Sequence, residues 1–269
     1  MNASRRDFGG ERLNPVALIT GAASGIGAAA AARLAEKASG GLILIDVDED
    51  GLEAVADALQ NPPERVSTLA FDVSDSERWR AAGVFIGDHY GRLDWAVVSA
   101  DAAHAGLLTD ADLGEWRGIT PVNLDGVHLT LKFVAPLLRA NAGGGAIVIT
   151  DSAASLKADP AAASLGASKA GLLQMMRVAA RENAGYGVNV NAVTPGGQDM
   201  PNWRNLPLFQ DMVRDLGSER ATFDHLATQT TPMARYTETD DVARLIDMLL
   251  TEAGPISGAT LVVDSGYPL

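Results

Sequence analysis

The chain has 269 residues, 47% hydrophobic but only 5% aromatic, so any sizeable core is built mostly of Ala, Val, Leu and Ile. Its net charge of −13 argues against nucleic acid or an anionic membrane as a partner. There is no cysteine, which excludes disulfides, thiolate zinc sites and a cysteine nucleophile.

Residues 1–14 are polar, carry Arg5 and Arg6, and contain no apolar segment before Asn14. They read as a disordered tail rather than a secretory leader. No apolar run approaches the roughly 18 residues of a membrane span. With the absence of cysteine, this leads us to expect a soluble, cytoplasmic protein.

From residue 15 onward, short apolar runs alternate with helical patterns. Strands are predicted at 16–20, 42–46, 66–71, 95–99, 146–150, 188–193 and 260–263. They are rich in β-branched residues and do not alternate with polar ones, the pattern of parallel strands buried on both faces. Helices are predicted at 26–37, 52–59, 76–89, 113–138, 163–183 and 240–250. This alternation implies one α/β domain over 15–269, with a doubly wound parallel sheet and right-handed crossovers. Residues 196–235 break the rhythm. They hold three prolines, Trp203, Leu206, Leu208 and Phe209, and read as a long loop forming a lid over a mostly apolar substrate.

The first strand runs into Thr20-Gly21-Ala22-Ala23-Ser24-Gly25-Ile26-Gly27 and then a helix. Glycines there let the backbone approach a pyrophosphate, and a helix N-terminus favours its negative charge. Asp46 ends the second strand, where a carboxylate accepts hydrogen bonds from ribose hydroxyls and repels a 2′-phosphate. Asp48 adds to the repulsion, and Ser24 stands where a phosphate-neutralising cation would be expected. The turn therefore predicts NAD rather than NADP as cofactor.

With Asp72-Val73 after the third strand, Val122-Asn123-Leu124, Ser152, Ser168-Lys169-Ala170, Pro195-Gly196-Gly197 and the terminal 258–266 stretch, the chain resembles the short-chain dehydrogenase/reductase family. The resemblance implies a single-domain Rossmann fold with a seven-stranded parallel sheet flanked by helices. It implies cofactor contacts at Gly21, Ser24, Gly25, Ile26, Gly27, Asp46, Asp72, Val73, Lys169, Pro195 and Gly196. It also implies a homodimer or homotetramer assembled through the two long helices, and a small-molecule alcohol or carbonyl substrate.

In that family a tyrosine is the general acid/base and a lysine four residues later assists it and binds the nicotinamide ribose. A serine thirteen residues before the tyrosine binds the carbonyl oxygen, and an asparagine holds a water in the proton relay. Matched residue by residue, these fall on Lys169, Ser152 and Asn123, while the tyrosine position falls on Leu165. The tyrosines of the chain are Tyr90, Tyr186, Tyr236 and Tyr267, none of them between Asp151 and Lys169. The chain thus resembles an atypical member lacking the catalytic tyrosine.

A second departure is Val98-Ser99-Ala100-Asp101, where the family usually has Asn-Asn-Ala-Gly; it puts a carboxylate near the cofactor's ribose or pyrophosphate side. Asp151, His104 and Asp101 are candidates to replace the lost proton carrier. The four histidines show no metal-ligand spacing. Three readings remain open: an NAD-dependent oxidoreductase with an altered proton relay, an enzyme of the same fold doing a cyclisation, elimination or rearrangement, and an inactive NAD-binding subunit.

Overall fold

A computed structural model describes residues 14–59, 65–104, 106–196 and 207–267. The strands are β1 (Val16–Thr20), β2 (Gly41–Asp46), β3 (Val66–Ala70), β4 (Trp95–Val98), β5 (Gly145–Thr150), β6 (Val188–Pro195) and β7 (Thr260–Val263). They form one sheet in the order β3-β2-β1-β4-β5-β6-β7, with every neighbouring pair parallel. The chain reverses its winding between β1 and β4. In open α/β sheets ligands bind at that switch, outside the carboxyl ends of the strands.

Side chains alternate across the pleat, so both faces must be apolar. Leu18, Ile43, Ala96 and Ile147 point to one core, under α3 (Ser76–His89), α5 (Val127–Ala140) and α6 (Ala163–Asn183). Ala17, Ile19, Leu42, Leu44 and Val97 point to the other. That second core is closed by α1 (Gly25–Leu34), α2 (Glu49–Ala58) and α9 (Thr239–Thr251). Double burial is the physical reason the strands read as unbroken apolar runs.

The sequence predicts one helix over 113–138. The backbone instead forms α4 (Leu113–Thr120), a wide π-helical turn at Pro121–Gly126, and then α5. Pro121 lacks the N–H that an unbroken α-helix needs at that point, and the turn opens there.

The stretch at 196–235 is also not the continuous loop its prolines suggest. Its described part holds α7 (Pro207–Leu216) and α8 (Glu219–Thr230), separated by Gly217 at φ +84. Ser218 caps α8, its hydroxyl accepting the Ala221 N–H. Phe209 and Phe223 are buried against each other, ring centres 4.8 Å apart, and Phe223 meets Tyr236 edge-on. Trp203 and Leu206 lie outside the described residues, as do residues 1–13 of the polar tail. Among the described residues no helix is long and apolar enough to cross a membrane.

Candidate active site

The glycine turn sits where β1 delivers the chain to the switch point. Thr20 is buried, and its hydroxyl accepts the Ser99 and Ala100 N–H groups at 3.1 and 3.3 Å, clasping the turn to the loop after β4. Gly21 has φ +68, and a Cβ there would lie 2.7 Å from the Ser99–Ala100 backbone. At Gly27 a Cβ would meet the Gly21 carbonyl at 2.0 Å, so helix and strand pack with no room for a side chain. Gly25, at φ +54, faces open space, beside exposed Ser24 and half-buried Ile26. The turn is closed below by packing and open above, the shape a pyrophosphate needs.

Asp46 completes that edge. Its Oδ2 accepts the Ala23 N–H at 3.0 Å, and its Oδ1 accepts those of Val47 and Asp48 at 2.7 and 3.2 Å. Arg33 of α1 and Lys37 just beyond its end pair with Asp240 and Asp247 of α9. These residues fit a dinucleotide: a glycine cradle beside a carboxylate fixed by three backbone N–H groups, with which no Lys or Arg among the described residues forms an ion pair.

Asp72 accepts the N–H and hydroxyl of Ser74, both at 2.8 Å. Val73 is buried, its carbonyl accepts the Trp79 indole N–H, and its side chain fills the space beside Gly126. Pro195 ends β6 and Gly196 follows it, where a Cβ on Gly196 would touch Asp264 and Ala153. The family contacts expected at these four positions thus fall along the carboxyl edge of the sheet.

Across the switch point stands Lys169. The π-helical turn carries buried Asn123 to the loop after β4, where its amide carbonyl accepts the Ala102 N–H at 2.8 Å and its NH₂ donates to the Ala102 carbonyl at 2.9 Å. The same NH₂ reaches the Ser168 hydroxyl at 3.1 Å, and Ser168 donates to the Leu165 carbonyl. One residue on, the Lys169 side chain is only 2% exposed. Its Nζ donates to the Thr150 carbonyl at 3.3 Å and lies 3.0 Å from Oδ1 of Asp101, whose side chain is 41% exposed. Leu165 is half-buried one helical turn before the lysine.

Ser152 follows Thr150 by two residues. Its backbone is extended, and its hydroxyl accepts the Ala154 N–H at 3.3 Å. Asp151 turns the other way: it is 4% exposed, and its Oδ2 accepts the hydroxyls of Ser155 and Thr194 at 2.6 and 2.8 Å. Among the described residues its Oδ1 has no hydrogen-bond partner. Burial pushes the Asp151 carboxyl above its ordinary value, partly offset by the two hydroxyls, the Ser152 backbone and Lys169.

His104 lies on the far rim. Its Nε2 is 3.2 Å from Oε1 of Glu115. It borders a recess of about 240 Å³ lined also by Leu108, Leu113, Trp116, Ala163 and Ser164.

The structure therefore brings Asn123, Lys169 and the segment of Ser152 together, sinks Asp151 behind them, and holds His104 at the recess. Three links escape the sequence: the Ser168 hydroxyl, the double clamp of Asn123 on Ala102, and the Asp101–Lys169 ion pair. Each joins residues 21 to 68 positions apart, and no local pattern encodes such a pairing. The four tyrosines are engaged elsewhere. Tyr90 bonds Ser67, Tyr186 stacks on Arg139, Tyr236 bonds Thr230, and Tyr267 lies under Lys157. Among the described residues no group of three or more acids and histidines gathers as a metal site.

Comparison with known proteins agrees with this architecture. Residues 21–268 match the family model described as enoyl-(acyl carrier protein) reductase. The chain is 35% identical over 254 residues to cis-4-hydroxycyclohexanecarboxylate dehydrogenase of Sinomonas cyclohexanicum, covering 94% of this chain and 96% of the relative. It is 34% identical over 272 residues to (-)-trans-carveol dehydrogenase of Rhodococcus erythropolis, covering 94% and 97%. The crystal structure of levodione reductase superposes with a TM-score of 0.81 at 28% identity, over 94% of this chain and 97% of that one. With its seven-stranded parallel sheet and its glycine turn, the chain belongs to the short-chain dehydrogenase/reductase family.

Proposed function

We propose that this protein is an NAD-dependent oxidoreductase that interconverts a small, mostly apolar alcohol and its ketone, with a proton relay altered because Leu165 replaces the tyrosine. The observation that carries the reading is the cradle itself: Gly21 to Gly27 stand at the switch point beside the carboxylate of Asp46, which is fixed by backbone N–H groups. The φ values of +68 at Gly21 and +54 at Gly25 lie in the left-handed region that favours glycine.

Gly21, Ser24, Gly25, Ile26 and Gly27 would hold the pyrophosphate, and Asp46 the adenosine ribose. Asp72, Val73, Pro195 and Gly196 would border the rest of the cofactor. When bound, the nicotinamide accepts a hydride from the carbinol carbon or returns it. Ser152 would hold the substrate oxygen, and Asn123 keeps the loop after β4 in place. The recess beside His104, with Leu108, Leu113 and Trp116, supplies apolar walls for the substrate. Relatives named for a hydroxycyclohexanecarboxylate, for carveol and for levodione support a compact ring-bearing substrate. By family resemblance α5 and α6 would pair between subunits, giving a homodimer or homotetramer.

Calorimetric titration tests this reading. NAD should bind, and NADP should bind at least about tenfold more weakly, a difference of roughly 1.4 kcal/mol. If neither binds at millimolar concentration, the oxidoreductase reading fails and non-redox use of the fold takes its place.

A further inference from the structure

Lys169 carries a positive charge into a site where its side chain is 2% exposed, and its partners among the described residues are the Thr150 carbonyl and the Asp101 carboxylate. A buried ammonium demands a counterion, because an unpaired charge away from water is strongly disfavoured. Asp101 meets that demand with Oδ1 alone. Among the described residues Oδ2 accepts no hydrogen bond, and the side chain is 41% exposed. The neighbouring peptide is clamped through both N–H and C=O of Ala102 by Asn123, so the carboxylate stands on a fixed support. One helical turn before Lys169, Leu165 has no proton to give or take.

The other candidates are otherwise engaged. Asp151 is sealed against Ser155 and Thr194, and His104 faces Glu115. We propose that Asp101, paired with Lys169, is the general acid/base of this protein. The proposal rests on the oxidoreductase reading above. In alcohol oxidation the carbinol C–H bond breaks, and its hydride reduces the oxidised nicotinamide dinucleotide. The O–H bond breaks with it, and its proton passes to Oδ2 of Asp101 as the C=O double bond forms. The proton then leaves to water through the exposed side of the carboxyl. In ketone reduction the protonated Asp101 returns it to the developing alkoxide. Lys169 holds Oδ1 throughout.

The test uses the full-length protein, NAD, and cis-4-hydroxycyclohexanecarboxylate and carveol as probe alcohols. Asp101→Asn should lower turnover about 10²–10³-fold while the NAD dissociation constant, read by calorimetry, stays within about threefold. Added formate should restore part of the rate to Asp101→Gly, because a small carboxylate can enter the space left behind. In a Leu165→Tyr background the loss caused by Asp101→Asn should shrink, since the phenol then carries the proton.

Asp101→Asn with undiminished turnover would overturn the proposal. So would a variant that binds NAD more than about tenfold more tightly and turns over faster, which would make Asp101 a competitor for Lys169. A wild type that binds NAD yet oxidises neither probe until Leu165 becomes tyrosine would overturn it as well. A flat NAD titration of the wild type would remove the oxidoreductase reading first, and this assignment with it.

Discussion

Single side chains decide whether this cleft can do redox chemistry. A tyrosine at 165 would put a phenol one helical turn before Lys169. Leu165→Tyr should therefore raise alcohol oxidation by about tenfold or more, within the roughly 10²–10⁴-fold that a placed proton carrier contributes; a variant that binds NAD with no gain in rate would point to a pocket shaped for other chemistry. Asp151 makes a separate prediction. Its carboxyl is raised by burial, so it holds its proton more tightly folded than unfolded. It imposes no penalty below the unfolded-state value of about 3.9, and a growing one as pH climbs through its folded value. Asp151→Asn keeps an acceptor for Ser155 and Thr194, and should raise Tm by about 2–4 °C near pH 8 but less near pH 4. An equal or larger gain at pH 4 in a thermal melt would contradict this. At this scale the sequence was informative about identity and silent about pairing. Only the family resemblance sets Leu165 and Asp101 apart in the sequence, and that Asp101 reaches Lys169 depends on how the loop after β4 folds back.

At the scale of elements, the π-helical turn at Pro121–Gly126 positions the site. It delivers Asn123 to Ala102 and leaves room for Gly126 against Val73, where a Cβ would lie 2.6 Å from Cγ2. Asn123→Ala strands a half-buried N–H and carbonyl on Ala102, and should cost about 1–3 kcal/mol in chemical denaturation. A loss under about 0.5 kcal/mol would mean that water replaces the amide. The second telling element is the α7–α8 pair, anchored by Phe223 between Phe209 and Tyr236. Phe223→Ala should raise KM for the probe alcohol more than it lowers kcat, and speed proteolysis within 207–230; unchanged KM would remove α7–α8 from substrate binding. Strands and long helices were legible because double burial and caps leave local traces, and every predicted strand falls within about two residues of the observed one. The α7–α8 pair was not, because its prolines mask short helices whose start signals, Pro207 and Ser218, stand among loop-like residues.

Across the whole molecule, stability and chemistry sit at opposite ends of the strands. At the amino ends, buried Asp94 accepts the Val16 N–H and the Arg92 guanidinium, which holds the arginine's proton more firmly than usual. Asp94→Asn should cost about 2–3 kcal/mol of stability and leave NAD affinity unchanged. At the carboxyl ends lie the cradle, Asp46, Lys169 and Asp101, drawn from segments far apart in sequence but joined at the reversal between β1 and β4. The fold that creates this meeting point was legible from alternating strands and helices. The chemistry was less so, since it turns on contacts between segments. The central claim is that this cleft transfers hydride without a tyrosine at 165. Its most direct test mixes excess wild-type protein and NAD with cis-4-hydroxycyclohexanecarboxylate, protiated or deuterated at the carbinol carbon, and follows reduced nicotinamide by absorbance. Reduced nicotinamide should rise, and more slowly with the deuterated alcohol. NAD that stays bound and oxidised with this alcohol and with carveol would contradict it.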